Sequence, residues 1–392
     1  MSKQSGMSLI SLMVGIFIGL VVSLAVINTA SFIEAQRRMS TGGNAALASA
    51  AGGLFVLEKN IRPAGLGLMA SNGFACPGLN LATNGVAMSN GGAVYPVSVV
   101  DGGAGSDQLT IAYLGSLLSA AAPRLLLPQA SPDADLLLAN MMGIAPGTVL
   151  LLQSMSGTEP CTLMQASAVT ASSPGATVAH AGGSINAASA SFATPVTYQD
   201  NDKAAPANAF KWLTYRVNTN PTSPDYLTLE EVDNTTGTVT VVAEDIIAMQ
   251  VQYGVVPPIG SVAAPADSVI TWTDAVDNTA LSPPANVNWT APAAADMLRV
   301  HAIRLALVAK SQDQDHTGAA ICSSAAPNRA ATQYQQLVAW SGLPPTGDPL
   351  VADPAVDGPT IDLASVVGAN WCHYRYRVVS LMLPLLDVKI GG

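Results

Sequence analysis

The chain has 392 residues, enough for one large domain or two ordinary ones. Apolar residues make up 49% and charged residues 11%, well under the usual quarter, and 34 Gly with 26 Pro imply many loops and turns. A net charge of −10 with sixteen thinly spread Lys and Arg excludes a cationic stripe, so direct nucleic-acid binding by phosphate neutralisation is not expected.

In chain order, residues 1–6 are a short polar lead that ends in Gly6. No charged residue stands between Met7 and Ile33. That run of about 27 residues spans roughly 40 Å as a helix, more than the ~30 Å core of a bilayer. A cleaved secretory signal has an apolar core of about 7–15 residues, and Leu9–Ile27 is longer. A cut near Ala30 or Ser31 is the alternative. Gly15 and Gly19 form a G-x-x-x-G, a weak signal for close helix packing.

The helix is expected to continue beyond the apolar run. Residues 31–60 lack Pro, and Phe32, Ala35, Met39, Ala46, Leu47, Ala50, Leu54, Leu57 and Ile61 recur at mostly helical spacing. Gly42–Gly43 and Gly52–Gly53 are expected weak points where it bends or partly melts. Pro63, Gly65 and Gly67 stop it. An amphipathic second half needs a partner surface, which the domain that follows would supply.

Beyond residue 63 the signals are for strands. Asp107–Tyr113, Thr148–Gln153, Thr162–Val169, Trp212–Val217, Tyr226–Glu231, Thr236–Val242, Ile246–Tyr253, Val300–Val308 and Tyr374–Leu383 are β-branched or alternating runs. Asn234–Gly237 suits a hairpin turn. The stretches 257–292 and 312–368, rich in Pro, Ala, Asp and Gly, read as long loops, as does 166–195. One helix followed by many strands is an α+β pattern with the sheet laid on the helix, and nothing alternates as βαβ.

Chemical signatures are weak. Gly65-Leu66-Gly67-Leu68-Met69-Ala70 fits G-x-G-x-x-A, but a helix precedes it and no acid follows at the needed distance. Asp313–Gly318 begins like a calcium loop, then has Ser324 where the closing Glu belongs. Asp101–Asp107 reads as a turn before a strand. His180, His301, His316 and His373 have no catalytic or metal-binding spacing, so no enzyme, cofactor or metal is expected. Cys76, Cys161, Cys322 and Cys372 are far apart. Outside the cytoplasm an even number suggests two disulfides. Three pairings are open, of which Cys76–Cys161 with Cys322–Cys372 is preferred, and buried free thiols are the alternative.

The lead ending in Gly6, followed by Met7-Ser8-Leu9-Ile10-Ser11-Leu12-Met13-Val14, resembles the class III signal of type IV pilins and pseudopilins. Its pattern is G-[FM]-[ST]-L-[IV]-E-[LV]-[ML]-[IV]; every position fits except Ser11, where a Glu belongs. Asn60–Gly67 is similar to the "IRxAGxxG" stretch of the PilW family of minor pilins. Asp107–Tyr113 is similar to its "D-x-L-x-[VI]-x-Y" strand. Val251–Gly254, preceded by Ile246–Gln250, is similar to its "VxxMQVQYG" stretch, the most specific match. Arg299–Ser311 and Tyr374–Val378 with Pro384 resemble its closing strands, although Leu385–Gly392 departs from the family ending.

The resemblance implies a type IV pilin-like α+β fold. Residues 1–6 would be a leader, 7–33 a transmembrane and filament-core helix, and 34–62 its amphipathic continuation. Residues 63–392 would form a periplasmic β-rich domain with loop insertions near 257–292 and 312–368. It implies cleavage after Gly6 and N-methylation of Met7 by a prepilin peptidase. Before assembly the chain would sit in the inner membrane as a single-pass protein; afterwards it would sit in the pilus, near the tip. Its partners would be other minor pilins, the major pilin and a tip adhesin. A type II secretion pseudopilin is the nearest alternative, and an ordinary secreted protein is a more distant one. Ser11, at the fifth mature position, implies an initiating or tip subunit, or else drift.

Overall fold

The computed structural model describes residues 9–70, 73–74, 76–103, 105–114, 122–182, 185, 192–193, 195–207, 210–256, 270–281, 286–312, 314, 336–338 and 360–385. Helix α1 (Leu9–Ile61) runs without a break for 53 residues. Among the described residues, the apolar span Met13–Ser31 in its first half has none of its residues buried against the chain. Its second half is seated on the domain through Gly43, Ala46, Ala50, Gly53, Leu54, Leu57 and Ile61, all buried. Steps of three and four residues place these on one face.

Two expectations for this helix are corrected. The paired glycines do not interrupt it. A Cβ on Gly53 would lie 3.1 Å from Leu307, 3.2 Å from Leu229 and 3.3 Å from Ala243. The missing side chain lets α1 approach the sheets closely, and that packing outweighs glycine's poor helix propensity. Leu47 is also not on the seated face. It is 45% exposed, and Phe55 is 68% exposed. We expect Leu57→Ala to lower domain stability by about 2–5 kcal/mol through cavity formation. Phe55→Ala should change it by less than about 0.5 kcal/mol. Urea unfolding of the detergent-solubilised chain compares the two.

The helix ends in a turn in which Gly65 (φ 88°) and Gly67 (φ 72°) are left-handed. The Gly65 amide donates to the Ala112 carbonyl, and the Leu114 amide to that of Leu66. The G-x-G-x-x-A match is therefore a helix stop tied to the sheet. Strands β1 (Met69–Ala70) and β2 (Gly73–Phe74) form a small hairpin. β3 (Leu79–Thr83) and β4 (Val86–Gly92) form another, turned by Asn84 and Gly85, both at positive φ. β5 (Val97–Val100) then pairs with β6 (Gln108–Leu114).

The chain leaves this sheet at Leu114 for β7 (Leu136–Leu138), β8 (Val149–Gln153), β9 (Cys161–Gln165), β10 (Ala168–Ala171), β11 (Ala176–Ala179) and β12 (Lys203–Ala207). It returns in β13 (Phe210–Val217), with Phe210 directly opposite Leu114. The excursion is thus a module inserted into a hairpin. With β3 and β4 it builds sheets of order β12-β8-β9-β3-β4 and β10-β11-β7, linked by bridges at Arg124–Lys203 and Leu125–Leu138. Its own core includes Leu125, Leu136, Leu138, Leu150, Leu152 and Tyr198.

The remaining elements are β14 (Leu229–Asp233), β15 (Thr238–Ala243), β16 (Ile246–Val255), β17 (Thr271–Thr273), α2 (Ala294–Met297), β18 (Val300–Lys310), β19 (Gln336–Val338), β20 (Thr360–Asp362), α3 (Leu363–Val367) and β21 (Tyr376–Pro384). Sheets β15-β14-β13-β6-β5 and β17-β16-β18-β21 face each other. Alternate residues of both, such as Leu109, Ile111, Leu213 and Tyr215 opposite Met249, Val251, Ile303 and Leu305, enter one core that α1 closes. On the outer face of β16 and β18, Ile247, Ala248 and Val308 meet Ile361, Leu363, Trp371 and Tyr376.

The architecture is the α+β arrangement expected: one long N-terminal helix on antiparallel sheets. Several strand limits differ. The strand expected from Tyr226 starts at Leu229, because Leu227 adopts φ 59°. The Thr162–Val169 run is split between β9 and β10. Tyr374 and Arg375 precede β21. The stretches read as loops hold β17, β19, β20 and α3, and 166–195 holds the β10–β11 hairpin.

Candidate functional site

The residues singled out for function fall into three places. Gly6 and Met7 lie outside the described residues. Ser11 is within the first turn of α1, and Gly15 and Gly19 follow on the bare half of the helix. Nothing lies within 4 Å of a Cβ built on either glycine. The cysteines lie on the domain. Cys76 is bonded to Cys161, with S–S 2.07 Å and a sequence separation of 85. Cys372 is also in a disulfide, whereas Cys322 lies outside the described residues.

A polar clasp that the sequence did not announce fixes the end of α1. Asn60 Nδ2 donates to the Tyr215 hydroxyl at 2.5 Å and to Glu231 Oε2 at 3.2 Å. The Tyr215 hydroxyl donates to the same carboxylate oxygen at 2.5 Å. Burial, and then the adjoining Glu231 carboxylate, raise the Tyr215 pKa far above its ordinary value, so the phenol stays a donor at every physiological pH. Halfway up the seat, Ser49 Oγ donates to the Glu244 carbonyl at 2.6 Å. At its base a Cβ on Gly43 would be 3.3 Å from the Arg377 guanidinium. These contacts, with the apolar stripe between them, set the height and rotation of the helix on the domain.

The two sheets are stitched by another buried group. The Asp107 side chain accepts from the Gly102 amide at 2.9 Å and the Val251 amide at 2.7 Å, and its own amide donates to Met249. The Val99 amide donates to the Tyr253 hydroxyl at 2.6 Å alongside. Burial pushes Asp107 up to about 7. The two amides pull it down less, while Asp101 and Asp274 nearby add to the rise. A carboxyl raised in the folded state binds its proton more tightly there than in the unfolded chain. Its contribution is therefore complete at acid pH and is lost as pH rises towards 7. The slope is at most about 1.4 kcal/mol per pH unit. Asp107→Asn should remove this component. The stability difference between wild type and variant is then expected to shift in the variant's favour from pH 5 to pH 8, as measured by urea unfolding at each pH.

Among the described residues no group of three or more His, Cys, Asp or Glu is placed to hold a metal ion. His180 is buried, with Nε2 3.0 Å from the Ala134 carbonyl oxygen. His301 lies in β18 and His373 in a 3-10 turn. The structure does not bring these three together into one site. Asp313, Asp315 and His316 lie outside the described residues.

A bare apolar helix of membrane-spanning length, continued without a break into the side of a two-sheet domain, is an α+β architecture of the pilin-like kind, and the helix is consistent with a signal or a membrane anchor. Residues 214–385 match the model of the family described as PilW, Type IV Pilus-assembly protein W. Over that span, a little under half of the chain, it is similar to this family, which is involved in type IV pilus assembly. The matched span runs from within β13 to the residue after β21, so it takes in the strands that seat α1 and leaves out the inserted module. No curated protein and no solved structure matches the chain.

Proposed function

We propose that the chain is a minor pilin that takes part in initiating type IV pilus assembly and sits at or near the filament tip. The observation that carries this is the disproportion between helix and head. α1 offers a bare apolar span for packing with neighbouring helices, whose axes meet at about 8–10 Å. A domain as long as residues 63–392 has a radius of gyration of about 20 Å, and so a width near 50 Å. Heads of that size crowd each other along a shaft of closely packed helices, but not at its end.

Before assembly the span would hold the chain in the inner membrane with residues 1–6 on the cytoplasmic side. A prepilin peptidase would cut after Gly6. Gly15 and Gly19 would allow close approach of neighbouring helices. The partners would be the other minor pilins, the major pilin below, and a tip adhesin above.

Ser11 fits an end position. A Glu inside the membrane is tolerated where it meets the N-terminal ammonium of a neighbour. Serine can offer its own helix a hydrogen bond but cannot neutralise that amine. Immunogold labelling of sheared pili should place the protein at one end, and Ser11→Glu should lower pilus number or displace the label. Label spread along the shaft overturns the tip reading. An unchanged count and position for Ser11→Glu leaves the serine without a special role.

A further inference from the structure

Two sheet edges flank α1, and they run in opposite directions. At one, a Cβ on Gly42 would lie 3.4 Å from Ser311, whose amide donates to the Arg375 carbonyl. A Cβ on Gly53 would lie 3.1 Å from Leu307, which stands opposite Val379. β21 therefore climbs with α1, away from the apolar span. At the other edge, Ser49 Oγ donates to the Glu244 carbonyl, and Asn60 Nδ2 donates to Glu231, which stands opposite Thr240. β15 therefore descends. The heights agree: Ser49 to Asn60 rise about 16 Å along the helix, and Glu244 to Thr240 span about 14 Å along the strand.

Both strands end their sheets among the described residues. The Asn234 amide donates to the Trp212 carbonyl, and the Asn218 amide to that of Thr228. Backbone groups alternate along an antiparallel ladder, so even-numbered residues of β14 face β13 and odd-numbered ones face β15. Thr238 and Thr240 are thus bonded to β14, while Val239 and Val241 turn their N–H and C=O outward. By the same alternation, the bonds from Ser311 to Arg375 and from Leu385 to His301 leave Val378, Ser380 and Met382 facing outward on β21. Neither run has the charge or proline that ordinarily blunts an edge. β15 is Thr-Val-Thr-Val-Val-Ala, and 378–383 is Val-Val-Ser-Leu-Met-Leu. Arg377, the one charge in β21, stands below them beside Gly43. Val239 is 48% exposed, Val241 41% and Met382 60%.

We propose that two copies of this chain form a two-fold dimer about an axis parallel to α1, in which β15 of each copy pairs antiparallel with β21 of the other. A second copy fits in direction, height and spacing. Half a turn about such an axis keeps both helices pointing the same way, into one membrane, and brings a descending edge against a climbing one. Ala243 and Val379 are both level with Gly53. Val241 therefore falls opposite Ser380, and Val239 opposite Met382, with a slide of about one residue or less. A Cβ on Gly53 would touch Leu229 and Ala243, so α1 lies between β14 and β15, one strand in from the edge, and it meets β18 through Leu307 on the other sheet. Strands about 4.8 Å apart then put the two helix axes roughly 10 Å apart, the spacing of packed helices. The face each helix offers there is its exposed one, with Leu47 and Phe55 projecting and Ala48, Ala51 and Gly52 between them. Two equal junctions close the pair, so it does not grow into a fibre. This goes beyond the pilus reading and is independent of where the chain sits in a filament.

The test is the mass of the full chain in detergent by sedimentation, from about 1 µM to about 0.1 mM. A dimer is expected. Val239→Pro with Val241→Pro removes edge-facing amides and no bond to β14. It should raise the dissociation constant by roughly a hundredfold or more, with the urea midpoint of the monomer unchanged. Val239→Cys with Met382→Cys should link two copies on mild oxidation, since directly opposite residues lie about 5.5 Å apart at Cα. Either cysteine alone should link none. Should the prolines unsettle the fold, the cysteine pair decides alone. A wild type that stays monomeric at about 0.1 mM overturns the proposal. So does a dimer that survives the proline pair, or a cysteine pair that links no second copy. In cells, a cysteine pair that traps a different protein in place of a second copy overturns it as well.

Discussion

Gly6→Val should leave the chain as an unprocessed precursor. On the proposed reading, cleavage after residue 6 needs a backbone that the peptidase can approach closely. Glycine has no Cβ to obstruct it, whereas valine carries a stiff branched side chain at the scissile position. Mass spectrometry of the wild-type N-terminus should find N-methyl-Met7, and that of the variant should find residues 1–6 still attached. Pilus number in the variant should fall to that of a strain lacking the protein, because the retained leader keeps a charged Lys3 on a helix that has to leave the bilayer. A wild-type start near residue 31 would mean a secretory signal removed altogether, and the assembly helix would lose its membrane half.

The second large effect is expected at the Cys76–Cys161 bond. It closes a loop with a sequence separation of 85 and joins the segment just after α1 to β9 of the inserted module. Both cysteines are buried, at 7% and 1% exposure. Cys76→Ser with Cys161→Ser should lower stability by about 2–5 kcal/mol, as read by urea unfolding. The loss should concentrate in the module and its β3–β9 pairing. Hydrogen exchange should accordingly rise in β3, β8 and β9 before it rises in β16 and β18. The double variant is preferable to reductant, since reductant also opens the disulfide at Cys372.

How much of this was legible in the sequence depended on range. α1 was readable because an uncharged run and a spacing of three and four are local signals. β16 and β18 were readable because strands buried on both faces are continuous apolar runs. The module was not. Its strands are short, β7 being Leu136–Leu138, its loops are rich in Ala, Ser and Gly, and the parallel β3–β9 register leaves no local trace. The clasp at Asn60 joins partners 155 and 171 residues away. An Asn at a helix end reads as an ordinary polar terminus until the sheet is in place. Glycines 43 and 53 were misread for a related reason. Propensity marks glycine as a weak point, but only the partner surface shows that it is a point of contact.

The inserted module also has a mechanical meaning. On the proposed reading, a subunit at the end of a filament is pulled between its helix and whatever holds its head. The module's two peptide connections to the sheet, at Leu114 and Phe210, lie opposite each other. Tension borne by them alone would peel β6 from β13 one hydrogen bond at a time. The bond from Cys161 to Cys76 offers another route, through the short segment 62–76 directly into the end of α1. Load applied beyond residue 161 can bypass β3 to β6 entirely, and the seat of the helix remains intact while the covalent strap carries the strain.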